Sequence, residues 1–291
     1  MAVTELGIAN RRARVSDYFE LTKPRITFMV LISTVVGFYL GAAETFLTML
    51  LVHTIIGTAL VAAGASSFNQ YLERDRDSRM TRTRTRPIPD GRLMPADAFA
   101  FSVAISVAGV GYLAAFVNIL TAVIGAATLA AYVLLYTPLK TRTTWCTLIG
   151  AFPGAAPPLM GWAAARGDLD TIGLSLFAIQ FLWQMPHFFA IAWMFTEDYK
   201  RAGFMVHSSG VNTGRQIILY CSALIPVSLL PSVFGATGRW YFLGALLLGF
   251  VYLGYGFAVA LFRSNTHAQR LLKISVLYLP ALFVLMMLDK A

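Results

Sequence analysis

The chain predicts an all-α polytopic membrane protein with nine transmembrane helices. Three observations lead there. Of its 291 residues, 57% are hydrophobic and only 13% are charged, far from the balance of an ordinary water-soluble domain. Apolar segments long enough, or nearly so, to cross ~30 Å of hydrocarbon recur along the whole sequence. The basic residues fall on one side of the membrane when those segments are made to alternate.

The spans are read at 26–43, 47–70, 97–117, 119–137, 145–165, 172–195, 216–234, 240–262 and 271–288. The first follows Lys23-Pro-Arg25, where a proline suits an opening helical turn. Only Val117-Asn118 divides the third from the fourth. Three prolines (Pro153, Pro157, Pro158) punctuate the fifth, and Pro186 interrupts the sixth. Each frees backbone carbonyls, which membranes tolerate only beside other protein groups or a cavity. These two spans therefore either line an interior pocket or use their kinks to pack.

With the N-terminus inside, all but three of the 23 Lys and Arg residues lie on the cytoplasmic side, the exceptions being Arg166, Arg239 and Lys290. The positive-inside rule demands such a bias. A one-span error in the middle would scramble it, so the N-terminus is expected in the cytoplasm. The net charge of +9 then reads as topology plus one anionic site. Nucleic acid is excluded as a partner because the basic residues sit in short loops. Residues 1–25 are polar, lack an apolar signal core and are read as a cytoplasmic segment. The remainder offers no soluble domain, so 1–291 is taken as one transmembrane domain. Cys146 and Cys221 lie in or beside apolar spans and have no metal or redox spacing. The loops after the second and sixth spans both begin with acids, which suggests a duplicated helical unit without a residue-level repeat.

Chemistry concentrates where the second span ends, in Asn69-Gln-Tyr-Leu-Glu73-Arg-Asp-Arg-Asp77. Asn69, Glu73 and, if the helix continues, Asp77 share one face at four-residue steps. Asp75 points elsewhere. Hard oxygen ligands at that spacing suit Mg²⁺. In Arg82-Thr-Arg84-Thr-Arg86-Pro87 an extended loop would put the three arginines on one face, where their forks suit phosphate oxygens; cytoplasmic loops are, however, basic in any case. Metal and diphosphate at a membrane surface point to an allylic lipid diphosphate. A second cluster, Glu197-Asp198-Tyr199, lies eleven residues beyond His187. That is about three helical turns, so His187 and Asp198 are expected to point the same way. His187 is then either a buried, hydrogen-bonded imidazole or a contact for substrate. His53, His207 and His267 are less pointed. Lys140 and Arg142 add cations on the same side. A transporter would place its ionisable groups near the midplane, and these gather at one face.

These residues resemble the intramembrane UbiA-type prenyltransferase superfamily that includes 4-hydroxybenzoate polyprenyltransferase. The resemblance runs in order from Lys23-Pro-Arg25, through Asn69, Glu73, Asp77, Met80, Arg82-Thr83 and Arg86-Pro87, to Tyr136-Thr137 with Lys140. It continues with Gly154-Ala155, Pro157-Pro158 and Gly161-Trp162, then Trp183-Gln184 with Pro186-His187-Phe188, and ends at Asp198-Tyr199 with Ala202-Gly203. Glu73 stands where the superfamily carries aspartate. Together with Pro186-His187-Phe188, this is similar to its haem-alkylating subgroup, the protohaem IX farnesyltransferases. Many relatives carry asparagine near Cys146, so no polar role is assigned there.

The resemblance implies nine helices around a central cavity, with two acidic motifs facing each other at its cytoplasmic mouth. It implies an enzyme of the inner membrane, among membrane lipid, that binds farnesyl diphosphate through Mg²⁺ and alkylates a vinyl group of haem b. The product, haem O, serves haem-copper oxidases, which suggests haem A synthase or oxidase assembly machinery as partners. Asn69, Glu73, Asp77 and Asp198 are the expected metal ligands. Lys23, Arg82, Arg86 and Lys140 are the expected diphosphate cations, and His187 is the expected haem contact.

Overall fold

Helices begin where prolines and capping side chains meet apolar runs. In the computed structural model, which describes residues 13–42, 47–205 and 210–291, Pro24 opens α2 (Pro24–Gly41) and Pro95 opens α4 (Pro95–Phe116). Asn118 caps α5 (Ile119–Ala130) by accepting from Thr121 N at 2.8 Å. It also donates to Ala163 O at 2.9 Å. The weak division between the third and fourth spans is thus a built turn. Asp170 caps α8 (Thr171–Met194) and Ser264 caps α12 (Asn265–Leu288).

The other long helices are α3 (Thr48–Asp77), α7 (Cys146–Arg166), α10 (Val211–Val233) and α11 (Arg239–Phe262). A six-residue π-helical stretch, Ala131–Tyr136, joins α5 to α6 (Thr137–Leu139) as one span. Two short helices, α1 (Val15–Leu21) and α9 (Thr196–Arg201), lie before and between spans. Among the described residues this gives nine long helical segments, at the places where spans are expected, and no strand. The chain is an integral membrane protein. Arg11, Arg12 and His207 lie outside the described residues.

Eight spans are long and apolar enough to cross a membrane, and α7 is not among them. It is nonetheless the most interior helix, buried over most of its length and packed on α2, α3, α5 and α8. Small residues permit this. A Cβ on Gly37 would collide with the Pro158 backbone, and one on Gly161 with Thr34 O, so α2 and α7 meet backbone to backbone. The α7 prolines serve packing at one identifiable point. Pro158 cannot donate to Gly154 O four residues earlier, and Gln180 Nε2 of α8 takes that carbonyl at 2.8 Å. Gln184 Nε2 adds a bond to Ala151 O at 2.6 Å.

The neighbours follow the chain: α3 lies on α4, α8 on α10 and α12, and α10 on α11. Last and first spans close the bundle. Lys290 Nζ donates to Tyr39 O and Ala42 O, both at 2.8 Å, at the C-terminus of α2. The other end of α2 carries Lys23, which meets Asn69 of α3. The alternation read from charge is matched by two such faces, one with Ala42 and Lys290, the other with Asp77 and Lys140.

Candidate active site

Because α3 runs 30 residues, about 45 Å at 1.5 Å each, it crosses the membrane and carries its polar stripe beyond the apolar run. Asn69, Glu73 and Asp77 lie on that stripe, all buried, with Asp77 fully so. Asp75 is exposed, as its angle requires.

Each member of the stripe meets a cation from a distant part of the chain. Lys23 Nζ donates to Asn69 Oδ1 at 2.8 Å. Lys140 Nζ is 2.7 Å from Glu73 Oε1. Arg86 Nη1 is 2.6 Å from Asp77 Oδ2. Three of the four expected diphosphate cations are therefore the partners of three of the four expected metal ligands. Lys140 also lies 4.5 Å over the Tyr136 ring, and Asn69 Nδ2 reaches Thr137 Oγ1 at 3.4 Å.

The charges do not cancel. Glu73 and Asp77 face Lys140 and Arg86, while Lys23 is held by a neutral amide. Burial pushes the Lys23 ammonium down to about 7, with Arg86 and Lys140 adding to the effect. Burial also opposes the Lys140 charge, but Glu73 together with Tyr136 and Tyr132 outweighs it and holds this lysine well above its usual range. Lys23 sits at φ 48°, ψ 63°, a left-handed conformation that costs a non-glycine residue about 1–3 kcal/mol. An anion placed at this cluster would restore the Lys23 charge that burial and the neighbouring cations oppose, which makes an anion the fitting ligand.

The arginine loop departs from expectation. It is wound into successive turns, with Thr83 N and Arg84 N both donating to Met80 O and Arg86 N to Thr83 O. Arg82, Arg84 and Arg86 therefore do not share one face. Arg86 turns in to Asp77, Arg82 lies 5.1 Å over the Phe195 ring, and Arg84 is exposed. Turn chemistry around Pro87 and Gly91 outweighs extension here.

The second acidic motif comes to the same side. Arg201 Nη2 donates to Thr81 Oγ1 at 3.3 Å. Met80 packs with Ala202 and Phe204, and Met205 N donates to Lys140 O at 2.6 Å. Asp198 itself pairs with Arg201. Among the described residues no three Asp, Glu, His or Cys side chains gather closely enough to enclose a metal ion. Of the expected ligands, Glu73, Asp77 and Asp198 each face a basic side chain, Lys140, Arg86 and Arg201 respectively. A surface cavity of about 390 Å³ opens at the α8–α9 corner, lined by Trp193, Phe195, Asp198, Lys200 and Asn265 among others.

His187 does not follow the expected register to Asp198. Helix α8 ends at Met194, Phe195 leaves helical geometry at φ −111°, ψ 27°, and α9 starts afresh. The half-buried imidazole turns to α12, with Nδ1 2.7 Å from Ser275 Oγ, and stacks on Trp183. Ser275 Oγ spends its one proton on Leu272 O at 2.7 Å. With the Ser275 proton on Leu272 O, the hydroxyl accepts from His187 Nδ1–H and Nε2 is the ring atom that keeps a lone pair.

This geometry can be set beside known proteins. The model of the UbiA prenyltransferase family matches residues 30–278. The chain belongs to that family. A protein named protoheme IX farnesyltransferase from Solibacter usitatus is 52% identical, over 94% of this chain and 98% of its own length. One of the same name from Myxococcus xanthus is 43% identical, over 94% and 95%. A structure of digeranylgeranylglyceryl phosphate synthase shares the fold, with a TM-score of 0.80 at 15% identity, covering 94% of this chain and 98% of that one. A UbiA homolog from Archaeoglobus fulgidus bound to GPP and Mg²⁺ does so with a TM-score of 0.60 at 16% identity, covering 93% and 99%.

Within this UbiA-family chain, several contacts at the site escape sequence reasoning. Arg201 was not expected as the partner of Asp198, although an acid followed three residues later by arginine in a short helix is a recognisable pairing. Gln70, one residue from Asn69, donates to Leu21 O at 3.0 Å and Glu20 O at 3.3 Å. No local pattern announces a bond across 49 residues.

Proposed function

We propose that this protein transfers the farnesyl group of farnesyl diphosphate to a vinyl group of haem b, giving haem O and diphosphate for haem-copper oxidases. The supporting observation is the buried network Lys23–Asn69, Lys140–Glu73 and Arg86–Asp77 at the end of α3. The names of the near full-length relatives support the choice of donor and acceptor.

The donor set suits Mg²⁺. Asn69, Glu73 and Asp77 offer hard oxygens on one face, and Asp77 Oδ1 is buried without a hydrogen-bond partner, a costly state for a carboxylate oxygen unless a cation completes it. These three with Asp198 would hold Mg²⁺, and bound there it would offset charge on the departing diphosphate.

On substrate binding, Lys23, Arg86 and Lys140 turn from their internal partners to the diphosphate oxygens, and Arg82 closes from the rim. Their preorganised charge stabilises the leaving group. The allylic C–O bond breaks and its electron pair departs with diphosphate. The terminal vinyl carbon of haem b bonds to the allylic carbon. Water then captures the resulting cation beside the porphyrin and releases a proton, which supplies the hydroxyl of haem O. Apolar and aromatic surroundings keep water from the allylic cation until then. His187, with its Nε2 lone pair, contacts the haem.

The whole chain acts as one domain in the inner membrane with its N-terminus cytoplasmic, handing haem O to haem A synthase or oxidase assembly machinery. Detergent-purified protein given haem b, farnesyl diphosphate and Mg²⁺ should form haem O, detected by mass, and chelation should stop it. Prenylation of a quinone precursor in place of haem would overturn the acceptor assignment. Cysteines placed at Thr81 and Asp168, both exposed, should be labelled from opposite sides, Thr81 from the cytoplasm.

A further inference from the structure

Arg92 lies in the loop after α3, outside the network just described, and its guanidinium is used from every side. Nη1 pairs with Asp17. Nη2 meets Glu20 Oε2 at 2.9 Å and Thr85 O at 2.8 Å. Nε meets Asp90 Oδ2 at 3.0 Å. Asp17 and Glu20 belong to α1, whereas Thr85 and Asp90 belong to the arginine loop. One side chain therefore ties two segments separated by some seventy residues.

Both segments deliver cations to the site. Just past Glu20, the chain passes Leu21 and Thr22 to reach Lys23, which bonds to Asn69. Immediately beyond Thr85 stands Arg86, which bonds to Asp77. The same junction is braced by Gln70, whose amide holds the last carbonyls of α1. Leu21, Ile88, Leu93 and Ala98 are packed beneath it. Asp17 is only 4% exposed and also accepts from Arg14 N at 2.9 Å, so the α1 end of the tie is fixed rather than mobile. Lys23 leaves this junction in a left-handed conformation, which a lysine does not favour on its own.

We propose that Arg92 is a positioning residue for the diphosphate group, setting the spacing between Lys23 and Arg86 by clamping α1 to the arginine loop. This rests on the reading of the site as a prenyl diphosphate site. Arg92 acts without touching the substrate. A planar fork with donors on three sides can bridge two segments in one geometry; a lysine ammonium is a single flexible point and cannot. Displacing either cation by about 1 Å is enough to cost up to roughly 100-fold in rate.

The test uses the full chain in detergent and reads inhibition by inorganic pyrophosphate, KM for farnesyl diphosphate, KM for haem b and the thermal midpoint. Wild-type turnover and pyrophosphate inhibition are read first, so that a failure of the functional reading appears in the wild type. Arg92→Gln is expected to raise the pyrophosphate Ki and the farnesyl diphosphate KM by roughly tenfold or more, with the haem KM unchanged. Arg92→Lys should fall between the two. A pyrophosphate Ki equal to that of active wild type in Arg92→Gln, or an equal rise in both KM values, would overturn the proposal. If Arg92→Gln does not fold, Arg92→Lys decides by the same pyrophosphate Ki.

Discussion

Asp77 and Arg86 stand 2.6 Å apart, nine residues from each other, across the turn by which the chain leaves α3. The contact uses one carboxylate oxygen, and the other is buried with no hydrogen-bond partner. Half of this carboxylate is thus committed to a residue expected to serve the diphosphate, and half is open to a cation.

Asp77→Asn keeps the shape and removes the charge. Its turnover is expected to fall by at least roughly 100-fold, with insertion in the membrane unchanged. Haem O formation per amount of membrane-extracted protein checks this. Wild-type activity in that variant would remove Asp77 from the site.

Lys140 and Glu73 test a different property. Both side chains are largely buried, so Lys140→Met strands the carboxylate and should cost about 3–5 kcal/mol. Pairing it with Glu73→Gln should recover most of the thermal midpoint in detergent without recovering turnover. A double variant that regained activity would make the pair structural only.

The closeness of α2 and α7 is tested by Gly161→Ala and Gly37→Ala. In each, the added methyl meets backbone of the other helix rather than a movable side chain. Overpacking of this kind costs about 1–3 kcal/mol or more. Folded yield and thermal midpoint should drop in both variants, whereas Gly254→Ala, which faces open space, should behave as wild type.

His187→Ala should raise the KM for haem and leave that for farnesyl diphosphate unchanged. Ser275→Ala should move the same constant in the same direction, since it removes the acceptor that fixes the Nδ1–H tautomer. A change confined to the diphosphate substrate would assign His187 elsewhere.

The spans and the α3 stripe were legible because both are local periodicities. Apolar length marks a crossing, and a four-residue step marks a face. The pairing of Lys23 with Asn69 and of Lys140 with Glu73 was not legible, because it depends on how separate helices pack. Two errors had local causes. The alternating arginines suggested extension, but Pro87 and Gly91 were turn signals. The eleven-residue step from His187 to Asp198 assumed one continuous helix. Glu197 and Asp198 stand in the first turn of a new one, a helix-start pattern that could have been read. The function of α1 had no sequence signal at all, since its ties to Arg92 and Gln70 are long-range.

The small-residue, proline-rich character of α7 has a bearing on how the protein is made. This helix is less apolar than the other eight spans, so lipid alone holds it less firmly. Of its partners, α2 with its glycine notch is already made when α7 emerges, whereas α8, whose glutamines take two of its carbonyls, is made after it. Biogenesis is therefore coupled to tertiary assembly at the fifth crossing, and a ribosome stalled after Arg166 should leave a chain whose last helix is not yet stably embedded.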